Sequence, residues 1–168
     1  KITVTAYVGG NDTRVSSSFD EENDQYTFAW EGDDAFSVIG NNAFRGLTAL
    51  ESVTIPFSIT KCGLDAFGGD ESLKAVYADD VRSWCNTIFA NSTSNPVCYG
   101  NNLYFDGELV TDLVIAEGVE TIKNNAFINC KSLKSLVVSD CVKKVGQWAF
   151  QGCSELETVK LVNNVEVI

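Results

Sequence analysis

The side chains in this sequence with the most chemistry to offer are 23 carboxylates and six thiols, and histidine is absent. Without an imidazole there is no Ser-His-Asp or Cys-His nucleophile and no histidine metal ligand. The cysteines (Cys62, Cys85, Cys98, Cys130, Cys141, Cys153) form no Cys-x-x-Cys pair. Cys130 and Cys153 repeat at an interval of 23 residues, the pattern of a ladder of small buried residues. A Cys85–Cys98 bridge fits the spacing without being required by it. Asp20, Glu22, Asp24 and Glu31 occupy positions 1, 3, 5 and 12 of a calcium-loop frame, but Gln25 stands where that loop needs glycine. Strand-like segments flank it, so a solvated acidic turn accounts for the cluster. The neighbouring carboxylates Asp33-Asp34 and Asp79-Asp80 could serve acid–base catalysis only if they converged, and adjacent residues in a turn point apart. Asn11-Asp12-Thr13 and Asn91-Ser92-Thr93 match the short glycosylation pattern, which also arises by chance. No glycine-rich phosphate loop is present. The expectation is a chain with no catalytic residues, no metal and no cofactor.

The elements that hold these residues are repeats. Ala-Phe recurs at 43–44, 66–67, 126–127 and 149–150, and the members of each outer pair lie 23 residues apart. Around them the apolar pattern is shared. One register runs Ile122, Ala126-Phe127, Cys130, Leu133, Leu136, Val138, Val142; the next runs Val145, Ala149-Phe150, Cys153, Leu156, Val159, Leu161, Val165. The earlier pair starts at Ile39 and Cys62, with Leu47 and Asp70 at the cysteine position. Alternating Leu-x-x-Val-x-Ile predicts a short strand with one buried face. Ala-Phe-x-x-Cys-x-x-Leu has helical spacing and predicts a helical turn on the opposite side. No unit can bury its own apolar face, so the units must stack with parallel strands along one side.

The middle pairs lie 60 residues apart, two periods plus about 14 residues, so a degenerate repeat with an insert spans about 79–112. There an acidic N-cap precedes Val81, Trp84, Ile88 and Phe89, spaced like one helical face. Asp106-Gly107 between apolar runs predicts a hairpin turn. Before Ile39 the period is absent. Ile2–Val8 and Tyr26–Trp30 alternate like strands about an acidic loop, which predicts a small β-hairpin cap over 1–38, with the solenoid over 39–168.

The repeated Ile-x-x-x-Ala-Phe-x-x-Cys-x-x-Leu-x-x-Val-x-Ile resembles the BspA-like leucine-rich repeats of surface proteins from host-associated bacteria. The segment from Trp84-Cys85-Asn86 through Leu113-Val114-Ile115 is similar to an insert of that family. Thr13-Arg14, Phe19 and Phe28-Ala29-Trp30-Glu31-Gly32-Asp33 resemble the start of fimbrillin-like lipoprotein domains over about 30 residues. These resemblances imply an α/β-type leucine-rich repeat solenoid, exported to the cell surface or secreted, in a family some of whose members adhere to host matrix proteins or to other bacteria.

Charge narrows the partner. The net charge is −11, and residues 1–38 hold eight carboxylates against Lys1 and Arg14, a net of −6. Nucleic acid is excluded because phosphate binding needs clustered Lys and Arg. No apolar run approaches the roughly 18–20 residues that cross a bilayer, so no direct membrane insertion is expected. The chain begins at Lys1 and holds no methionine, which suggests a trimmed piece of a longer protein. What is left is surface. Thr54, Tyr77, Val114, Val137 and Lys160 should face outward from successive strands as a protein-binding strip, flanked by Ser52, Ala75, Asp112, Ser135 and Thr158. Trp84, Tyr99 and Tyr104 in the insert form a second candidate. The expected function is adhesin-like protein binding without catalysis; the alternative is a structural spacer of a larger surface protein, with no ligand of its own.

Overall fold

A computed structural model describes residues 2–5, 9–20, 25–32, 37–115 and 117–161, with side chains from residue 37 onward. Short strands stack in parallel, one repeat on the next. Leu50–Ile55 pairs with Ala75–Ala78, which pairs with Asn102–Phe105, so that Val53, Val76 and Leu103 fall in one register. A second sheet carries Asp112–Ile115, Ser135–Val138 and Thr158–Leu161, with Leu113, Leu136 and Val159 in register. Along the third edge Ile39, Cys62 and Phe89 align, and further on Ile122 and Val145 do. All of these except Val159 point inward and are buried, forming one continuous core. Val159 is 54% exposed, because no described strand lies beyond Thr158–Leu161 in its sheet.

The Ala-Phe segments do not form the helical turns that their spacing suggests. Each is a six-residue turn whose second and last residues have left-handed backbone. Asn42, Asp65, Asn125 and Trp148 have φ between 51° and 61°, and Gly46, Gly69, Asn129 and Gly152 close the turns with φ of 55° to 83°. A right-handed helix cannot pass through such residues. The backbone donors also leave the turn alternately. Asn42 N–H donates to Leu64 O (2.9 Å), Phe44 to Ala66 O (2.8 Å) and Gly46 to Gly68 O (2.8 Å), all one repeat on. Asn125, Phe127 and Asn129 donate likewise to Gln147, Ala149 and Gln151 at 2.7–3.0 Å. The helical period survives in the sequence because Ala126, Phe127, Cys130 and Leu133 all still point into the core.

Side chains reinforce this ladder. The Asn41 and Asn124 carboxamide oxygens accept from Leu64 N–H (2.9 Å) and Gln147 N–H (3.0 Å) of the following turns. Gly63 and Gly146 must lack side chains, since a Cβ would collide with those same amides. Phe44 stacks on Phe67 (5.4 Å) and Phe127 on Phe150 (5.2 Å) through the solenoid.

In the insert Asp80 caps a short α-helix, Val81–Asn86, accepting from Ser83 N–H at 2.8 Å. That helix stops short of the face expected for it: Ile88–Phe89 is extended and joins the third edge, with Phe89 buried. The hairpin forms where Asp106-Gly107 predicts it, with φ of 51° and 80° at the two turn residues and Glu108-Leu109 antiparallel to Tyr104-Phe105.

The N-terminal pairing differs from expectation. Among the described residues, Ile2–Thr5 does not pair with Tyr26–Trp30. Ile2–Thr5 instead runs parallel to Leu50–Ile55, with Val4 beside Val53, and Gly9–Asp20 is the antiparallel partner of Gln25–Gly32. Thr3-Val4-Thr5 has the same alternation as Ser52-Val53-Thr54 and extends the sheet as one more strand on that side.

Candidate binding surface

The single outward strip expected from the sequence is two rows. In the first sheet Thr54, Tyr77 and Tyr104 are successive register partners. Tyr77 is 39% exposed, and its ring stacks on that of Tyr104 with centroids 4.8 Å apart at 25°. In the second sheet Val114, Val137 and Lys160 are register partners, with Val114 57% exposed. The Glu108-Leu109 strand ends the first sheet, so the rows belong to separate sheets. Beside Val114 lies an open groove of about 460 Å³, walled by Asp80, Arg82 and Glu117, in which Arg82 donates to Glu117 O at 3.4 Å.

The flanking positions are tied down. Ser135 and Thr111 hydroxyls donate to the Asp112 carboxylate and hold it below the usual carboxylate range. Lys74 pairs with Glu51 at 3.1 Å at the rim. The insert aromatics have three different fates. Trp84 is buried, and its indole N–H donates to Ala126 O (2.7 Å), joining the insert to the next turn. Tyr99 is half-buried, its hydroxyl accepting from Gly69 N–H at 2.5 Å. Only Tyr104 joins the outward face, and the repeat register, hidden by the insert in the sequence, puts it beside Tyr77.

Several of the described carboxylates and thiols have structural partners. Asp79 accepts from Phe57 N–H (2.8 Å) and Asp80 caps the helix. Asn91 exchanges hydrogen bonds with Asp65, accepting from its N–H (3.2 Å) and donating to its carboxylate (2.7 Å). Hydrogen bonds from Thr93 and Asn91 lower the Asp65 pKa. All six cysteines are free. Burial pushes the Cys62, Cys98 and Cys153 thiols up to about 12 and raises Cys85 and Cys130 as well, so these are packing groups rather than nucleophiles. Among the described residues no cluster of three or more His, Cys, Asp or Glu could hold a metal. The loop 21–24 and the Asp33-Asp34 pair lie outside the described residues, as do the side chains of Asp20, Glu31 and Asn11. Among the described residues no helix is long and apolar enough to cross a membrane.

Two residues have environments that their repeat positions do not announce. Trp148 is 58% exposed in the register of Asn42, Asp65 and Asn125, and that mismatch was its signal. Asp70 stands at the cysteine position, fully buried, where its carboxylate accepts from Leu47 N–H at 2.8 Å and its second oxygen has no partner.

Comparison with known proteins gives one family. The model of the BspA type leucine rich repeat region matches in six copies, over residues 18–97 and 99–168, and so includes part of the segment expected to lie outside the solenoid. Among solved structures, a leucine rich cell surface protein from Faecalibacterium prausnitzii A2-165 is similar at 21% identity and a TM-score of 0.46. The match covers 89% of this chain and 53% of that one, so the chain spans about half its length. The T. pallidum Leucine Rich Repeat protein is similar at 18% identity and a TM-score of 0.40, over 86% of this chain and 67% of that one. No match is found among curated proteins.

Proposed function

The chain belongs to the BspA-type leucine-rich repeat family, and on that premise we propose that it is a non-catalytic protein-binding domain of an exported bacterial surface protein. The partner is a host matrix protein or a surface protein of another bacterium, held adhesin-like on the outward sheet face. The observation that carries this reading is the Tyr77–Tyr104 ring stack, exposed beside Thr54 on a face with small flanking residues. Tyrosine anchors interfaces because it offers a large rigid contact and a polar tip at little entropic cost. The stacked rings hold each other in place before a partner arrives, which lowers the ordering cost of binding. Val114, Val137 and Lys160 extend the contact along the second sheet.

The test is capture of the purified chain on an array of extracellular matrix proteins at physiological salt, with a Tyr77→Ala, Tyr104→Ala variant alongside. Saturable binding that the variant loses supports the reading. A folded chain that binds nothing on the array contradicts it and favours a spacer role.

A further inference from the structure

We propose a second binding site on the turn side of the solenoid, a groove for a neutral saccharide, independent of the sheet face. The groove crosses the short 3-10 segment after Phe89 and the two Ala-Phe turns stacked on it, with a volume of about 430 Å³, within the range of small-ligand sites. Its walls include Asn91 and Ser92 from one turn, Asn125 and Ile128 from the next, and Trp148 and Gln151 from the last.

Three observations set the chemistry of the occupant. Trp148 presents a 58% exposed indole at a left-handed position, φ 57°, where the other turns carry Asn42, Asp65 and Asn125. Asn and Asp tolerate that conformation and an indole does not favour it, so folding alone gives no reason for tryptophan there. A flat apolar face of this kind matches the C–H face of a pyranose ring. The polar lining is amide and hydroxyl, groups that both donate and accept, as sugar hydroxyls do. Among the described residues no wall residue is ionisable, although the chain carries a net charge of −11. That neutrality selects against phosphate, sulfated glycan or a charged peptide.

A peptide strand is disfavoured for a further reason. Two backbone donors at the groove are already used, Asn125 N–H on Gln147 O (3.0 Å) and Asn91 N–H on the Ser94 hydroxyl (3.0 Å), so a strand cannot pair with them there. The Asn125 side chain lies at the base of the groove with its carboxamide oxygen unpaired and its nitrogen 3.5 Å from Phe89 O. The site therefore rests on Trp148 as the platform, with Gln151 and Ser92 as the hydroxyl-binding rim.

Calorimetric titration of the chain with cellotetraose, maltotetraose, mannotetraose and chitotetraose tests this, with sialyllactose and a heparin tetrasaccharide as charged probes. Trp148→Asn is the informative variant, because Asn occupies the same position in two other turns and preserves the fold. Expected are binding of at least one neutral tetrasaccharide with a Kd of about 1 mM or tighter, and a loss of at least about tenfold in Trp148→Asn. Gln151→Ala should weaken the same probe less. The proposal is overturned if no neutral probe binds, if Trp148→Asn binds as well as the parent chain, or if the charged probes bind as tightly as the neutral ones.

Discussion

Tyr77 and Tyr104 belong to strands 27 residues apart, not 23, yet their rings stack 4.8 Å apart as direct register partners. The insert lengthens the repeat without shifting the strand register, because the extra residues are taken up by the capped helix and the loop before Asn102. The pair should be coupled energetically. In urea unfolding of Tyr77→Ala, Tyr104→Ala and the double variant, the cycle should give about 0.5–1.5 kcal/mol of coupling. Additive effects would mean that the rings do not stack in solution.

The core depends on the phenylalanine ladder. Phe127 is fully buried against Phe150, so Phe127→Ala should cost about 3–5 kcal/mol. Phe44 is half-buried at the start of the stack, and Phe44→Ala should cost clearly less. Equal losses in chemical denaturation would contradict the burial gradient.

Most of this architecture was legible in the sequence, and the reason is physical. Val53, Val76, Leu103 and Leu136 repeat because a solenoid reuses one core position in every turn. The Asp-Gly hairpin was legible because its two left-handed residues have few sequence solutions. The helical spacing misleads because Ala126, Phe127, Cys130 and Leu133 report only which way side chains point. Where the backbone donors go depends on the next repeat, and the clue lay in Asn42, Asp65, Asn125 and Gly46. The strip was legible as outward positions, but its division was not: whether Tyr77 is followed by Tyr104 or by Val114 depends on how the insert folds.

Trp148 is the residue whose type least suits its backbone. Trp148→Asn should leave stability unchanged or raise it by about 1 kcal/mol, as left-handed strain is relieved. A loss of more than about 1 kcal/mol on thermal or urea unfolding would show that the indole is a packing element after all.

Asp70 sets a pH dependence. Burial raises its pKa to about 6, against the hydrogen bond from the Leu47 backbone that lowers it. The folded chain therefore holds a proton that the unfolded chain, with an ordinary carboxylate near about 4, has released. Stability from this group is complete below about pH 4 and is lost as pH rises through about 6. Asp70→Asn removes the effect and keeps the acceptor for Leu47 N–H. The melting temperature of Asp70→Asn relative to the parent chain should rise between pH 4 and pH 7; a constant difference would place Asp70 in solvent.

The central claim is that protein recognition uses the outward sheet face. Its most direct test is the affinity of the chain for a captured matrix protein, measured for the parent, for Tyr77→Ala, Tyr104→Ala, and for Trp148→Asn on the opposite side. The account predicts a loss of at least about tenfold in the tyrosine variant and an unchanged affinity in Trp148→Asn. Unchanged affinity in the tyrosine variant, with loss in Trp148→Asn, would move recognition to the turns and contradict it.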